Sequence, residues 1–528
     1  MVLFLWGGFV TSQTEIEQST WTPRQIWMLT VSCCAVALVV AAMAALNTAL
    51  PDIARDTGAT QTQLTWIVDG YTLVLACLLL AAGALGDRYG RRELLMFGLV
   101  VFAAGSAIPV FIDEPSWIIA SRVVSGVGAA FVMPATLSLL TAGFPATQRS
   151  RAVGVWSGVA GSGAIAGLVI SGFLIEKWSW HSIFISLAVV SGLILVASFT
   201  IASSKDEETT PLDFLGTALI AAAIGLFVLG MIEAPVRGWL NPVVLALLIG
   251  GIAMGVVFSF VELRSAHPLL DVGLFANRAF GSSATSLVLQ FLATFGMFFM
   301  LVQYLQLVLD YSPLQSALAL LPMAVPVMAL SVVSPLLIPL VGLRILTAVG
   351  IALLGTGIAL VTRLELGSSY VDVCIPLIVA AIGLGLCTTP ATAAIVSNTP
   401  DAKQGVASAI NDVTREIGSA IGVALAGSIL AATYARHVQP AVDVLPEPAK
   451  EPVSGSLAAA LHIAESAGPQ GDQLADFARE AFIEGMNQAA LTLAVIIWVS
   501  AVVLGFWAPG RQKSKEALPS ESTAAPLA

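Results

Sequence analysis

Apolar runs about as long as a bilayer is thick recur along almost the whole chain, separated by short polar breaks. They cover Ile26–Leu50, Leu64–Leu85, Leu94–Ile112, Trp117–Leu140, Ala152–Ile175 and Ile183–Ala202. After the polar break SSKDEETTPLD (Ser203–Asp213) come Phe214–Ile232, Val243–Val261, Ser286–Leu309, Leu314–Ile338, Ile345–Val361, Val373–Val396, Val406–Ala432 and Met486–Trp507. A spanning helix needs about 20 apolar residues, so the pattern predicts an all-α polytopic membrane protein with fourteen transmembrane helices. The pair Phe214–Ile232 and Val243–Val261 decides between twelve spans and fourteen. Both runs are long and free of internal charge, and both are counted.

Composition agrees. The 528 residues are 57% hydrophobic and 11% charged, with a mean hydropathy of +0.91, whereas soluble domains carry roughly a quarter charged residues. A net charge of −10 argues against nucleic acid as a partner. All five cysteines lie within apolar runs, and no CxxC or Cys/His cluster has metal spacing, so no metal site is expected. The N-terminal MVLFLWGGFVTSQ lacks the basic region of a cleavable signal, and insertion is expected to begin with the first span.

Positive charge in short loops sets orientation. With the N-terminus inside, the inner loops hold Arg88, Arg91, Arg92, Arg149, Arg151, Lys205, Arg264, Arg278, Arg344 and Lys403, whereas the outer ones hold Arg55, Lys177, Arg237 and Arg363. Both termini are therefore expected in the cytoplasm, in a cell (inner) membrane. Trp27, Trp66, Trp117, Trp239 and Trp507 mark span ends as interfacial anchors would. The outer stretch from Arg436 to Gly485 is unusually long. It opens on the turn-rich VLPEPAKEPVSG, and two short stretches with amphipathic character follow; it is expected as a loosely ordered loop rather than a cap.

The strongest motif joins the second and third spans: Gly83-Ala-Leu-Gly-Asp87-Arg88-Tyr-Gly90-Arg91-Arg92. Glycines permit a tight turn, arginines hold the loop inside, and Asp87 suits a neighbouring helix N-terminus, whose dipole favours an anion. This loop closely resembles the signature of the major facilitator superfamily, in which the Asp and its arginines lock the cytoplasmic gate. Further segments are similar to the fourteen-helix drug:proton antiporter branch: LNTALPDIARD, TQLTWIVDGYTL, Arg122-Val-Val-Ser-Gly126-Val-Gly128, YLQLVLDYSPLQSA and GVASAINDVTREIGSAIGVALAGSIL.

The resemblance implies two six-helix bundles related by pseudo-symmetry, with two extra central helices between them. The expected organisation is a cytoplasmic segment 1–25, a first bundle 26–202, a linker 203–263 with the two additional helices, a second bundle 264–507 containing the outer loop 436–485, and a cytoplasmic tail 508–528. It further implies that Asp87 approaches the start of span thirteen near Val406. PLVGLRIL, between spans ten and eleven, keeps only a remnant of the gate motif, so asymmetric gating is expected.

Ionisable groups inside a bilayer are functional candidates because burying them is costly. Well within the runs lie Asp69, Arg122, Asp412, Arg415 and Glu416. Asp69 and Arg122 fall at similar depth in spans two and four. A facing Arg favours the charged carboxylate and desolvation the neutral one, a balance suited to a group that loads and unloads protons. The resemblance makes Asp69 the leading proton carrier with Arg122 assisting; the alternative is a wet, structural Asp69. Asp412, Arg415 and Glu416 share one side of span thirteen, as a second proton site or as an internally neutralised ion network. Trp66, Tyr71, Phe295, Phe299, Gln303 and Tyr304 are candidates to line a substrate cavity, with lipid-facing packing as the alternative.

Two departures from the branch weaken antiport. Its span-one acid, five residues before Asn47, is Ala42 here. In the span-five motif Gly163, Gly167 and Gly172 remain, but Leu168 stands for the Pro and Ser171 for a Gly. The expected function is secondary active, proton-coupled efflux of hydrophobic or amphipathic, including cationic, small molecules by alternating access. The proton gradient is then the energy source, with no cofactor. A narrow-substrate metabolite transporter or facilitator with weakened coupling, and a transport-dead sensor or scaffold, are the alternatives. No enzyme is expected, because His181, His267, His437 and His462 pair with no nucleophile or metal set. No phosphate-binding loop of the G-x-x-x-x-G-K-[ST] type supports ATP-driven transport. The oligomeric state is open, with a monomer expected.

Overall fold

The computed structural model describes residues 21–204, 213–265, 268–466 and 471–510. The N-terminal segment through residue 20, most of the acidic break (205–212, with Lys205), His267 and the tail from residue 511 lie outside the described residues.

Long helices follow one another as α1 (Pro23–Ala45), α2 (Gln61–Tyr89), α3 (Arg91–Ala107), α4 (Pro115–Gly143), α5 (Ala146–Lys177), α6 (His181–Ser198), α7 (Phe214–Arg237), α8 (Pro242–Glu262) and α9 (Arg278–Gln303). The helix Ala324–Leu360 is interrupted at Gly342, where φ is 84° and ψ 160°. Its two parts, 324–341 and 343–360, are α10 and α11. Then come α12 (Tyr370–Ser397), α13 (Gln404–Val442) and α14 (Gly471–Trp507). Thirteen continuous segments among the described residues are long and apolar enough to cross a membrane. One of them, Pro313–Arg363, has 51 residues, hence a length of about 76 Å at 1.5 Å per residue. That is more than twice a bilayer core of about 30 Å. With the break at Gly342 it counts as two spans, which accounts for the fourteen.

Local chemistry sets the ends. Thr22 with Gln25, Thr60 with Gln63, and Ser369 with Asp372 form capping boxes that satisfy first-turn N–H groups. Pro23, Pro115 and Pro242 sit in first turns, where the missing N–H is harmless. Large apolar side chains stay exposed around the periphery, among them Leu193, Val196, Ile249, Phe260, Leu336 and Val499. Exposure on this scale does not suit water and matches a surface meant for lipid.

Within the N-terminal half α1 packs on α5, α2 and α3 on α4, and α3 on α6. In the C-terminal half α9 packs on α13, α12 on the α10–α11 region, and α14 on α13. The halves meet along α2 and α4 against α13, and along α5 against α10. The second seam is close: a Cβ on Gly154 would lie 2.6 Å from the Ser331 carbonyl oxygen, and one on Gly158 would lie 3.3 Å from Met328 Cα. α7 and α8 form a hairpin, and α7 rests on both α2 and α13, across the first seam.

The stretch 436–485 differs from expectation. α13 continues to Val442, VLPEPAKEPVSG itself supplies the helix Glu447–Gly455, Leu457–Ser466 follows, and α14 already starts at Gly471. Two of the three prolines that read as loop signals stand at the helix start, Pro446 as its N-cap and Pro448 in its first turn, where they are tolerated, whereas Pro452 lies inside the helix. The apolar face of this cap, Val453, Leu457 and Ala460, is buried together with Val438, Val442 and Phe482, and the Tyr434 hydroxyl donates to the Val453 carbonyl at 2.9 Å.

Candidate functional site

At the end of the bundle where α2 turns into α3, the gate motif reaches across the first seam. Asp87, in the last turn of α2, accepts the Gly405 N–H at 2.8 and 2.9 Å on its two oxygens and the Val406 N–H at 3.3 Å. These are free N–H groups of the first turn of α13, where an anion is favoured. Arg91 holds the same carboxylate through Nε at 3.1 Å and Nη2 at 2.8 Å, and both side chains are almost fully buried. Gly83 lies against the Gly405 carbonyl and within 2.8 Å of Ala409 Cβ for any added Cβ, so only glycine lets the backbones meet. The expected approach of Asp87 to α13 near Val406 is present in the geometry.

A second cross-link lies beside it. Arg149, at the start of α5, pairs with Asp401 at 3.2 Å, and Arg91 Nη2 reaches the Asp401 carbonyl at 3.5 Å. Sequence reading used Arg149 only for topology; nothing in its local pattern marks a partner 252 residues away.

The rest of the motif serves its own bundle. Gly90, at φ 115°, turns the chain so that the Arg91 N–H meets the Ser204 carbonyl at 3.0 Å, and Arg92 Nη1 reaches Ile201 O at 3.1 Å. Both acceptors lie just beyond α6. The remnant in the other half does the same: after Gly342, Arg344 donates from its backbone to Pro509 O at 3.2 Å and from Nε to Ala508 O at 2.8 Å, just beyond α14. What that half lacks is the Asp that crosses to the opposite bundle. The Arg88 guanidinium lies over the Tyr89 ring, 5.5 Å from its centre.

Deeper in the seam Asp412, Arg415 and Glu416 are buried on α13. No ion pair within 4.0 Å joins Arg415 to either acid among the described residues. Its guanidinium lies instead 5.1 Å from the ring centres of Trp156 on α5 and Phe291 on α9, a cation–π arrangement. It also reaches Thr392 Oγ1 at 3.4 Å. Asp412 accepts from Asn411 Nδ2 at 3.0 Å. Asp412 Oδ2, Arg415 Nε and Glu416 Oε2 are buried without a hydrogen-bond partner, the condition that proteins usually avoid. Trp156 escaped the sequence reading because it stands four residues into the apolar run Ala152–Ile175, where a tryptophan reads as an interfacial anchor, whereas the helix begins at Ala146.

Asp69 and Arg122 do not face each other. Arg122 is buried and donates from Nε to Ile67 O at 3.0 Å and from Nη2 to Ala42 O at 3.1 Å, with its guanidinium 4.2 Å from the Tyr71 ring centre. It makes no salt bridge among the described residues. Its acceptor is thus the backbone of the position where a span-one acid was expected. Tyr71 donates to Val39 O at 3.0 Å and stands in electrostatic reach of both Arg122 and Glu416. Asp69 stands instead in the electrostatic reach of Glu233 on α7, which packs on α2. Glu233 was missed because the apolar run ends at Ile232, whereas the helix continues to Arg237.

The glycines kept in span five do pack closely: Gly163 lies against Val40 and Gly167 against Ala41 of α1, and Gly172 against Leu314. Ser171 fills the place of the lost glycine by accepting from Thr48 Oγ1 at 2.9 Å. Of the cavity candidates, Tyr304 is buried in the core of the C-terminal half and donates to Glu365 O at 2.5 Å, away from the seam. Gln303 donates to its own helix at Phe299 O, and Phe299 packs beside Gly427. Phe295 stacks on Phe291, with ring centres 5.9 Å apart, which places it next to the Arg415 site. Trp66 is half-buried on α2, one turn before Gly70.

Comparison with known proteins agrees with this architecture. Residues 32–423 match the family model of the Major Facilitator Superfamily. The multidrug efflux pump LfrA of Mycolicibacterium smegmatis is 32% identical over 493 residues, covering 92% of this chain and 97% of that protein. The multidrug resistance protein Stp of Mycobacterium tuberculosis is 31% identical, covering 85% and 87%. The puromycin resistance protein pur8 of Streptomyces alboniger is 32% identical, covering 79% and 84%. Among solved structures the human organic anion transporter MFSD10 superposes with a TM-score of 0.58 at 13% identity, covering 92% of this chain and all of that one; this likeness concerns the fold alone. A gate carboxylate seated on the opposite half, fourteen spans and a family match over most of the length lead to one assignment: the chain is a multi-pass membrane protein of the major facilitator superfamily.

Proposed function

We propose that this protein exports hydrophobic or amphipathic small molecules, including cations, in exchange for protons by alternating access. The observation that carries the reading is the group Asp412, Arg415 and Glu416, buried between the halves with unpartnered polar atoms against Trp156 and Phe291. Ionisable groups kept in this state inside a membrane serve ions or substrates rather than stability. The efflux and resistance names of the similar proteins support the same direction of transport.

In the mechanism, the Asp87–Gly405 and Arg149–Asp401 contacts hold the cytoplasmic side shut. Opening that side breaks both and parts Gly83 from Gly405. Asp69, Asp412 and Glu416 are the proton-binding groups, and the aromatic walls formed by Trp156, Phe291 and Phe295 receive the apolar body of the substrate. Both termini lie in the cytoplasm of a cell with the protein in its inner membrane, and the working unit is a monomer.

A second reading, a facilitator with weakened coupling, is favoured by one observation: Arg122 is held by backbone carbonyls where a carboxylate is lacking. Ethidium efflux from cells expressing the wild type, Asp69→Asn and Glu416→Gln, with and without a protonophore, separates the two. Loss with protonophore and in the variants supports exchange. Efflux indifferent to the protonophore supports the facilitator.

A further inference from the structure

The two extra helices α7 and α8 lie outside both six-helix bundles, yet α7 is seated across the α2–α13 seam. Its register against α2 is fixed by one contact: a Cβ on Gly225 would lie 2.8 Å from Cys77 Sγ. The two helices run antiparallel, α2 inward and α7 outward. Moving eight residues outward along each, about 12 Å at 1.5 Å per residue, leads from Cys77 to Asp69 and from Gly225 to Glu233. The two carboxylates are therefore brought to the same level of the same interface, and Asp69 stands in the field of Glu233.

Glu233 continues outward. It is ion-paired with Arg237 one turn on, where its side chain is 20% exposed and that of Arg237 51%. The three residues form a line from the interior to the outer surface. The stretch of α8 from Val243 to Val261 carries no ionisable side chain, and that of α13 from Ile417 to Thr433 carries none; Arg122 of α4, which also packs on α2, is bonded to the backbone carbonyls of Ile67 and Ala42. The hairpin is also tethered to the moving seam at this level, because Trp239 Nε1 donates to Ser428 Oγ on α13 at 2.8 Å.

We infer that Glu233 is the outer-side proton relay of Asp69, so that the extra hairpin contributes a working residue to proton exchange. This rests on the proposed proton coupling and adds to it the route and the second carboxylate. A proton from outer water binds the Glu233 carboxylate as it leaves Arg237. It then passes to the Asp69 carboxylate, and Glu233 returns as an anion to Arg237. Two nearby carboxylates hold a single proton more readily than one alone, because both cannot be charged without repulsion.

The test is the proton release that accompanies ethidium binding to the purified full-length protein in weakly buffered detergent, followed as a function of pH. For the wild type, ethidium displaces protons with a defined midpoint. Glu233→Gln is expected to move that midpoint about one pH unit toward acid, because the like charge beside Asp69 is gone, and Glu233→Asp to restore it. Arg237→Gln is expected to move it the other way, and it decides the matter if Glu233→Gln does not fold. Wild-type release with unmoved midpoints in the folded variants overturns the relay while leaving proton coupling intact. No release from the wild type overturns the coupling and the relay with it.

Discussion

Asp87 of α2 receives the backbone N–H groups of Gly405 and Val406 at the start of α13, 318 and 319 residues away in sequence. The same carboxylate is gripped from behind by Arg91. One side chain thereby joins the two halves, and its charge is matched both by a guanidinium and by a helix N-terminus.

Asp87→Asn keeps the shape and removes the charge. Hydrogen bonds to a charged group contribute about 1.5–3 kcal/mol each, and part of that is lost here only when the halves are closed at the gate motif. The closed state should lose roughly tenfold or more in population. Spin labels at the end of α2 and the start of α13 should then show a larger fraction of long distances, with thermal stability of the bundles little changed. An unchanged distance distribution would remove the latch role.

Gly83→Val tests the same contact by bulk. The Gly405 backbone leaves no room for a Cβ, and backbone cannot yield as a flexible side-chain tip would. Ethidium efflux is expected to fall more than tenfold at normal expression. Efflux within twofold of the wild type would mean that the halves need not meet here.

Arg344 occupies the place in the second half that corresponds to the gate arginines, yet it bonds only the chain after α14. Arg344→Ala should therefore lower the melting temperature, through the loss of about 1–3 kcal/mol of charge-assisted hydrogen bonding, without moving the α2–α13 distances. A gate that opens in this variant would contradict a purely intra-bundle role.

Much of this was legible in the sequence. Fourteen spans followed from apolar length, and the tenth and eleventh stayed distinguishable because Gly342 interrupts a helix that no loop interrupts. The gate Asp called for the N–H donors of a helix N-terminus, and the resemblance to the superfamily identified that helix as α13. The relations that sequence could not supply depend on which face of a helix meets which neighbour. Asp69 and Arg122 fall at similar depth in the sequence pattern, but Asp69 stands in the field of Glu233 on α7 while Arg122 turns to the α1 and α2 carbonyls. Tyr304 read as cavity-lining from its neighbours and is core. The cap at 436–485 ranked below a loose loop because prolines at a helix start and in a loop look alike until the apolar face of Val453 and Leu457 has something to cover.

The emptiness at Ala42 gives a further test. Ala42 is fully buried with the Arg122 guanidinium bonded to its carbonyl. Ala42→Asp should fold, because the new carboxylate finds a cation, whereas Ala42→Asp combined with Arg122→Ala buries an unpaired charge. Breaking such a pair costs about 3–5 kcal/mol. The double variant should be recovered at markedly lower yield and melting temperature than either single one. Equal stability of all three would show that the position 42 side chain does not face Arg122.

Proton exchange itself is tested most directly in reconstituted vesicles carrying the purified protein, with ethidium outside and an imposed pH gradient, acid inside. Wild-type vesicles are expected to accumulate ethidium only while the gradient lasts, to lose it on adding a protonophore, and to do neither with Glu416→Gln or Asp69→Asn. Accumulation that ignores the gradient, or that both variants retain in full, would contradict proton-coupled export by this protein.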